Sequence, residues 1–475
     1  MGRRSRPDEP SGLPASRRDA NGRREAEINI MPRFESAFAQ TSMLLLVMAA
    51  VIGICYSVPR LRKHLPDGMI LLLAGVVATL VDGWGFAIRH WVEGSFYFFN
   101  LILTIAAGMV MVDIFKENGL LGSLTRTLIQ RFYNRPSILL SLLMFIIMFP
   151  GMVTGSAPAC VLTTGVMIAP ILMRMGIPKI ETAAILAMGS IAGQQAPPVN
   201  VPIMIICTSV FMPYEGFTVP LALLNFTLGV FSILVIGRRH VSVARLKEIA
   251  AEPPEPGLPV GSLKLYSPML LLVVLLSGPR LVPGWPDMFT PLPFMIVSLA
   301  GLVTGKPLNF FRCSKKTFDH ATGMIVLFTG IGILIQSMAL TGVRGLIATM
   351  TISLPRVVLF TGFTIVGILL PGVLVTFGAS AVLGPPYILA LQDLNSIILS
   401  CGAALIMGLG CLIPPTGIGG LFAMRVVGEE RYWPIFKRCL IPAIFALGLG
   451  LLFMVYANQI GQIPGLRYVP SKGAY

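Results

Sequence analysis

Two stretches of this chain gather glycine and small hydroxyl residues inside apolar surroundings. The first reads Pro150-Gly151-Met152-Val153-Thr154-Gly155-Ser156-Ala157. The second reads Pro371-Gly372, then Thr376, Gly378, Ala379, Ser380 and Ala381. Glycine lets backbone carbonyls turn into a small cavity, and Thr154, Ser156, Thr376 and Ser380 add hydroxyl oxygens. Such a shell suits a dehydrated sodium ion, held at Gly155, Ser156, Gly378 and Ser380. Taken singly, these are ordinary helix-packing residues of membrane proteins. Two matching sets at matching places favour the ion.

A second pair of signals follows. Ala196-Pro197-Pro198-Val199-Asn200 and Ile413-Pro414-Pro415-Thr416-Gly417 each interrupt an apolar run. Proline removes a donor and clashes with the preceding turn, so each helix must unwind there. Unwound backbone at membrane depth is tolerated where it lines a cavity. The half-helix beginning after each break aims its positive end at whatever binds there, which favours an anion. Gln194, Gln195 and Asn200 flank the first break, and Thr416 and Gly417 follow the second. A mere kink is the alternative. Of the few charges at membrane depth, Asp82 and Asp113 are candidates for ion or proton coupling. Both lie near a membrane boundary, and an interface role is preferred for each. Glu181 and Asp319 read as residues that begin helices and complement their dipoles.

The elements that must position these residues follow from composition. The chain has 475 residues, 55% hydrophobic and 12% charged. The charged share is about half that of soluble domains, and a soluble fold of this length could not hide so much apolar surface. The class is an all-α polytopic membrane protein. The net charge of +15 reflects basic cytoplasmic loops rather than nucleic-acid binding. The seven cysteines form no CxxC pair and read as packing residues. No HExxH, P-loop, GxSxG or paired Cys/His spacing is present. No catalytic residue and no cofactor is expected, and the chain is not read as an enzyme.

Residues 1–40 form a polar, Arg-rich tail read as disordered, with Met31 or Met43 as alternative starts. The segments 41–58, 68–88, 95–115, 181–212, 217–237, 267–280, 292–305, 318–341, 396–424 and 438–457 read as crossings. Residues 267–280 and 292–305 are short for the roughly 20 residues a span needs. The stretches 137–176 and 357–392 are too long for one helix and broken by Pro, Gly, Ser and Thr. Each reads as a re-entrant hairpin. With the linker 238–266 in the cytoplasm, 22 Lys and Arg residues fall inside and six outside. The Arg-rich tail then lands outside. Either it is not translated as written, or its mixed charges weaken its vote, or a crossing has been missed.

The two halves, 41–237 and 267–458, resemble each other, and 459–475 is a C-terminal tail. Gly119-Leu120-Leu121-Gly122 precedes the first hairpin and Gly342-Val343-Arg344-Gly345 the second. With opposite orientations, this is an inverted-topology repeat with two re-entrant hairpins and two Pro-Pro-broken helices, the design of an elevator-type transporter. The segments 113–131 and 336–354 read as interfacial arms. The hairpins and broken helices, 137–212 with 357–425, are expected to move as one unit against a frame of the remaining helices.

The run Gly151-Met152-Val153-Thr154-Gly155-Ser156-Ala157, then Pro170, then Gly193-Gln194-Gln195-Ala196-Pro197-Pro198 resembles the large membrane subunit of TRAP transporters, the tripartite ATP-independent periplasmic transporters. Leu412-Ile413-Pro414-Pro415-Thr416-Gly417 looks like its second element. The likeness covers residues 41–458. It departs from the family at Cys160, where an acidic residue is usual, and at Phe377-Gly378, where an Asp is frequent. The resemblance implies a sodium-driven importer of organic acids, such as C4-dicarboxylates, in a bacterial inner (cytoplasmic) membrane. It also implies two partners, a small four-helix membrane subunit and a periplasmic substrate-binding protein. A stand-alone sodium- or proton-coupled carboxylate carrier of the wider superfamily is the alternative. A membrane-embedded enzyme or assembly factor is a third class, and it would need a cluster of His, Asp, Glu or Cys at one depth.

Overall fold

The computed structural model describes residues 38–252 and 263–466, apart from 283, 287 and 415. Residues 1–37, 253–262 and 467–475, and with them most of the N-terminal tail, the middle of the linker and the end of the C-terminal tail, lie outside the described residues, as does Pro415. Among the described residues every regular element is helical. Eight helices are long and apolar enough to cross a membrane: Phe38–Ser57, Ile88–Glu117, Pro136–Thr154, Ala157–Arg174, Thr218–His240, Ala321–Leu340, Pro371–Ala390 and Tyr432–Val455. The chain is a multi-pass helical membrane protein.

Each break has a local cause. Pro136 opens the first leg of the first hairpin at a position where a missing N–H costs nothing. Gly155 closes that leg in the left-handed region, at φ +62. A Cβ there would stand 2.2 Å from Val201 Cγ2, so the position needs glycine twice over. Ser156 then caps the return leg, its Oγ accepting from Ala159 N at 3.3 Å. The return leg holds a π segment, Val161–Gly165, where Thr164 Oγ1 donates to Ile147 O at 3.2 Å and to Cys160 O at 3.1 Å. Both arms start at left-handed glycines, Leu120–Phe132 after Gly119 (φ +86) and Val343–Ile352 after Gly342 (φ +76). The arms are shorter than the interfacial segments read from sequence. Residues 113–117 and 336–340 finish the preceding helices.

The second hairpin runs as Arg356–Leu369 and Pro371–Ala390. Its break falls at Val375, with φ +58 and ψ 157. That corrects the expectation that Gly378 opens the backbone there, since Gly378 lies inside the helix. The first broken helix is Lys179–Gln195 and Val201–Val210, separated by a cis Pro197-Pro198 bond. The second is Ser396–Leu409, a 3-10 turn at Gly410–Leu412, and Ile418–Val426. Glu181 is the third residue of its helix and pairs with Arg438, Nε to Oε1 at 3.1 Å. Asp319 does not begin a helix. It lies well inside Phe310–Leu340, which Asn309 caps by accepting from Arg312 N.

The buried apolar residues form two clusters. One joins both hairpins and both broken helices with Thr218–Gly237 and Tyr432–Val455. The other joins Phe38–Ser57, Asp67–Val81, Phe99–Glu117, Leu263–Leu281, Pro291–Leu302 and Phe310–Leu340, and it reaches the tips at Val153, Val201, Val375 and Phe377. Thr218–Gly237 and Tyr432–Val455 therefore pack with the broken helices, where the sequence reading put them in the frame. Glycine lets backbones meet inside the second cluster: a Cβ at Gly330 would stand 1.9 Å from Gly68 O, and one at Gly332 would stand 2.1 Å from Gly94 O. Such close approach is how helices associate where lipid offers no hydrophobic drive.

Candidate functional site

The two breaks dock on the two tips in the same way. Val199 N donates to Met152 O at 3.0 Å, and Thr416 N donates to Gly372 O at 3.1 Å. Each unwound strand thus satisfies a carbonyl at a Pro-Gly pair, that of the residue after it in the first tip and of its glycine in the second. A tyrosine braces each break: Tyr214 Oη donates to Pro198 O at 3.2 Å, and Tyr432 Oη donates to Leu412 O at 2.6 Å. Unsatisfied backbone inside a membrane is costly, and these bonds are what allow the helices to open.

The tips and breaks converge on a cavity of about 640 Å³. Thr154, Ser156, Gln194, Val375, Cys411 and Thr416 form its inner end. Thr154 Oγ1 donates to Pro150 O at 2.7 Å and accepts from Ser156 N at 3.2 Å. Thr416 Oγ1 donates to Pro371 O at 2.9 Å. Gln194 Oε1 accepts from Ala157 N at 3.2 Å and from Cys411 Sγ at 3.7 Å, and Cys411 Sγ also meets Thr376 Oγ1 at 2.9 Å. One amide and one thiol therefore connect the first tip to the second. Gln194 Nε2 is buried with no hydrogen-bond partner among the described residues. Buried polar groups in native proteins are paired, so this orphan donor beside a cavity points to a ligand. Helix Ile418–Val426 starts at the cavity with Ile418 and ends there with Arg425.

The cavity extends to the basic face of the molecule. Arg62, Asp67, Asp113, Lys116 and Arg425 line that end. Arg62 and Asp67 form an ion pair at 2.5 Å. Asp113 accepts from Thr317 Oγ1 at 2.6 Å. Asp82 is elsewhere, at the far end of Asp67–Val81, where Oδ1 accepts from Gln40 Nε2 at 2.8 Å.

The other residues singled out from sequence support the cavity from behind or stand clear of it. Gln195 and Asn200 lock the first break: Asn200 Nδ2 donates to Gln195 O at 2.8 Å and to Gln195 Oε1 at 3.0 Å, and Asn225 Nδ2 donates to Gln195 O at 2.9 Å. Pro197, Pro198, Pro414 and Gly417 shape the breaks without lining the cavity, and Ala157 contributes its bonded N–H. Gly155 packs on Val201, and Gly378 faces Leu71 and Leu374. Ser380 Oγ donates to Thr376 O at 2.7 Å. Sequence reasoning missed Cys411, Val375, Tyr214 and Tyr432. Only Cys411, three residues before Pro414 in an otherwise apolar run, carried a signal that could have found it.

Fold and site define a class: a multi-pass helical membrane protein whose interrupted helices and their neighbours line one cavity. No protein-family model and no curated relative matches the chain. Among solved structures it is similar to the Alcanivorax borkumensis YdaH transporter, described as having an unusual topology. The TM-score is 0.54 at 17% identity, over 79% of this chain and 89% of that one. It is equally similar in fold to Neisseria gonorrhoeae MtrF, of a class of antimetabolite efflux pumps. There the TM-score is 0.54 at 12% identity, over 83% of this chain and 94% of that one. At these identities the likeness establishes a shared fold.

Proposed function

We propose that this protein is a secondary active transporter of the elevator type, carrying an organic acid across a bacterial inner membrane. The observation that carries the reading is the convergence of both tips and both breaks on one cavity open to the basic face. Basic residues mark the cytoplasmic side, so the described state is inward-facing. The moving unit is the first apolar cluster, with Thr218–Gly237 and Tyr432–Val455 included. The fold shared with two transporters supports transport in general.

The finer reading rests on the sequence motifs: a TRAP-type large permease, sodium-driven, working with a four-helix membrane subunit and a periplasmic binding protein. Sodium would bind at the tips, near Gly155 and Ser156 and near Gly378 and Ser380. A carrier working alone is the alternative. Export is a second reading, favoured by a cavity that already faces the basic side and by the fold shared with an efflux pump. The test is flux of labelled organic acids in proteoliposomes, with a sodium gradient imposed in either direction. Sodium-dependent accumulation supports the proposal. Flux indifferent to sodium and to the proton gradient removes coupled transport.

A further inference from the structure

The carrier reading can be deepened by asking what the cavity would hold. Its charged residues are three basic and two acidic: Arg62, Lys116 and Arg425 against Asp67 and Asp113. Arg62 and Asp67 are paired with each other, which leaves a surplus of one positive charge. That surplus lies at the basic end and balances the charge of a single carboxylate over the cavity as a whole, without touching it at the inner end. A second one would enter a largely apolar chamber with no further cation of the protein to meet it, and unpaired charge is costly to desolvate.

Apart from the charged residues at the basic end and Thr163, whose hydroxyl donates to Ala159 O, the polar groups lie at the inner end. Two donors there are free to meet a carboxylate. Gln194 is 3% exposed, and its Nε2 has no partner among the described residues. Its orientation is set, because Oε1 is the atom that accepts from Ala157 N and Cys411. Ser156 Oγ accepts from Ala159 N, which leaves its own proton for a ligand. The remaining walls are apolar: Met109, Val112, Met324, Leu327, Phe377 and Phe422. Leu162 also lines the cavity and is 43% exposed, a large apolar surface for a residue facing a transport path. The Arg425 guanidinium lies over the Phe422 ring at 5.7 Å. The hydroxyls of a sugar acid would face methionine and phenylalanine here and lose their bonds to water.

We infer that the substrate is a monocarboxylate with an apolar aliphatic or aromatic body. Its carboxylate meets Ser156 and Gln194, and its body lies along Leu162, Phe377 and Phe422.

The test uses the purified full chain in lipid nanodiscs and follows its thermal unfolding midpoint against ligand concentration. The probes are 4-methylpentanoate, phenylacetate, succinate and gluconate. The two apolar acids should act at concentrations at least about tenfold lower than succinate or gluconate, the scale on which a few methylenes discriminate. Leu162→Asn, at an exposed position that the fold tolerates, should narrow that gap, and Phe422→Asn should weaken phenylacetate most. Stabilisation by succinate or gluconate at equal or lower concentration overturns the substrate class and leaves the carrier reading standing. An unchanged gap in both variants overturns the placement of the body. No stabilisation by any acid, together with no flux of any in proteoliposomes, overturns both the class and the carrier reading.

Discussion

Replacing Gln194 separates a structural role from a binding role. The side chain does two things: its Oε1 caps Ala157 N at 3.2 Å, and its Nε2 is an unpaired donor. Gln194→Met keeps the volume and removes both. A buried N–H left without a partner costs about 1–3 kcal/mol, and deleting the orphaned Nε2 offsets part of that. The net loss of stability should be about 0–2 kcal/mol, a fall of a few degrees at most in the unfolding midpoint. Binding loses a hydrogen bond to a charged group, worth about 1.5–3 kcal/mol, so the substrate concentration for half-maximal flux should rise about 10- to 150-fold. Gln194→Glu keeps an acceptor for Ala157 and places a negative charge where the donor stood. The buried carboxylate has no cation beside it, so this variant should lower the midpoint more than Gln194→Met does and bind still more weakly. The assays are concentration-dependent flux in proteoliposomes and thermal unfolding in nanodiscs. If Gln194→Met lowers the midpoint while half-saturation stays within about twofold, Gln194 is a helix cap and the inner end of the cavity is not the binding site.

The two tip glycines should behave differently. Gly155→Ala forces an L-residue to φ +62 and a methyl to 2.2 Å from Val201 Cγ2, which should cost about 2–5 kcal/mol and abolish transport at any sodium concentration. Gly378→Ala meets only Leu374 Cβ at 3.3 Å and Leu71 Cδ1 at 3.4 Å; it should express normally and raise the sodium requirement, and unchanged sodium dependence would leave the second tip as packing. For the moving parts, a reducible cross-link between cysteines at Gly378 and Leu71 should stop flux until reductant is added, and full flux in the cross-linked protein would refute the elevator reading. For topology, all the described cysteines are buried, so background labelling is low. An impermeant thiol reagent applied to intact cells should modify Phe211→Cys, at a site 92% exposed, and spare Phe311→Cys, at a site 82% exposed; the reverse pattern inverts the orientation.

Proline and glycine made the architecture readable. The helix interruptions after Gln195 and after Leu409 fall beside the prolines that the sequence marks, because backbone sterics act locally. What escaped was set by contacts across the fold. Val375 has no feature that marks it for a positive φ, and β-branched residues avoid that region. It accompanies a contact distant in sequence, the bond from Thr416 N to Gly372 O, 44 residues away. Asp319 was placed at a helix start because hydropathy rises there. The backbone had been helical since Phe310, and the polar first turns lie outside the apolar span. The allegiance of Thr218–Gly237 and Tyr432–Val455 to the broken helices was invisible, since a uniformly apolar helix does not advertise its partner. Within the site, Thr154, Ser156, Gln194 and Thr416 were legible as polar exceptions in apolar runs. The roles of Gln195 and Asn200 were not, because their side chains turn toward each other across the break rather than into the cavity.

The two packing clusters differ in how they are held and in how they touch. Inside the frame the contacts at Gly68, Gly330, Gly94 and Gly332 bring backbone against backbone. Inside the other unit a Cβ at Gly402 would stand 2.6 Å from Gly450 O. Contacts of that kind lock one helix against another, because any slide drives a neighbouring residue's side chain into the main chain. Where the units meet at the tips, one contact is of the same kind, since a Cβ at Gly108 would stand 2.7 Å from Val153 O, and the others join side chains. Phe328 stacks on Phe377 at 5.3 Å, and Leu71 lies over Gly378. These are non-directional apolar surfaces, and sliding one over another exchanges equivalent dispersion contacts without breaking hydrogen bonds. The polar groups of each tip are meanwhile tied to their own broken helix, through Thr416 to Gly372 and Val199 to Met152. One polar contact crosses between the units, from the Arg344 guanidinium to Ser209 O; with that bond exchanged, a unit whose tip polar groups are tied largely within itself and whose other outer contacts are mostly apolar can move as a body. That division of contacts is what the proposed elevator would require, and it makes the Gly108–Val153 and Arg344–Ser209 contacts the ones such a motion would have to exchange.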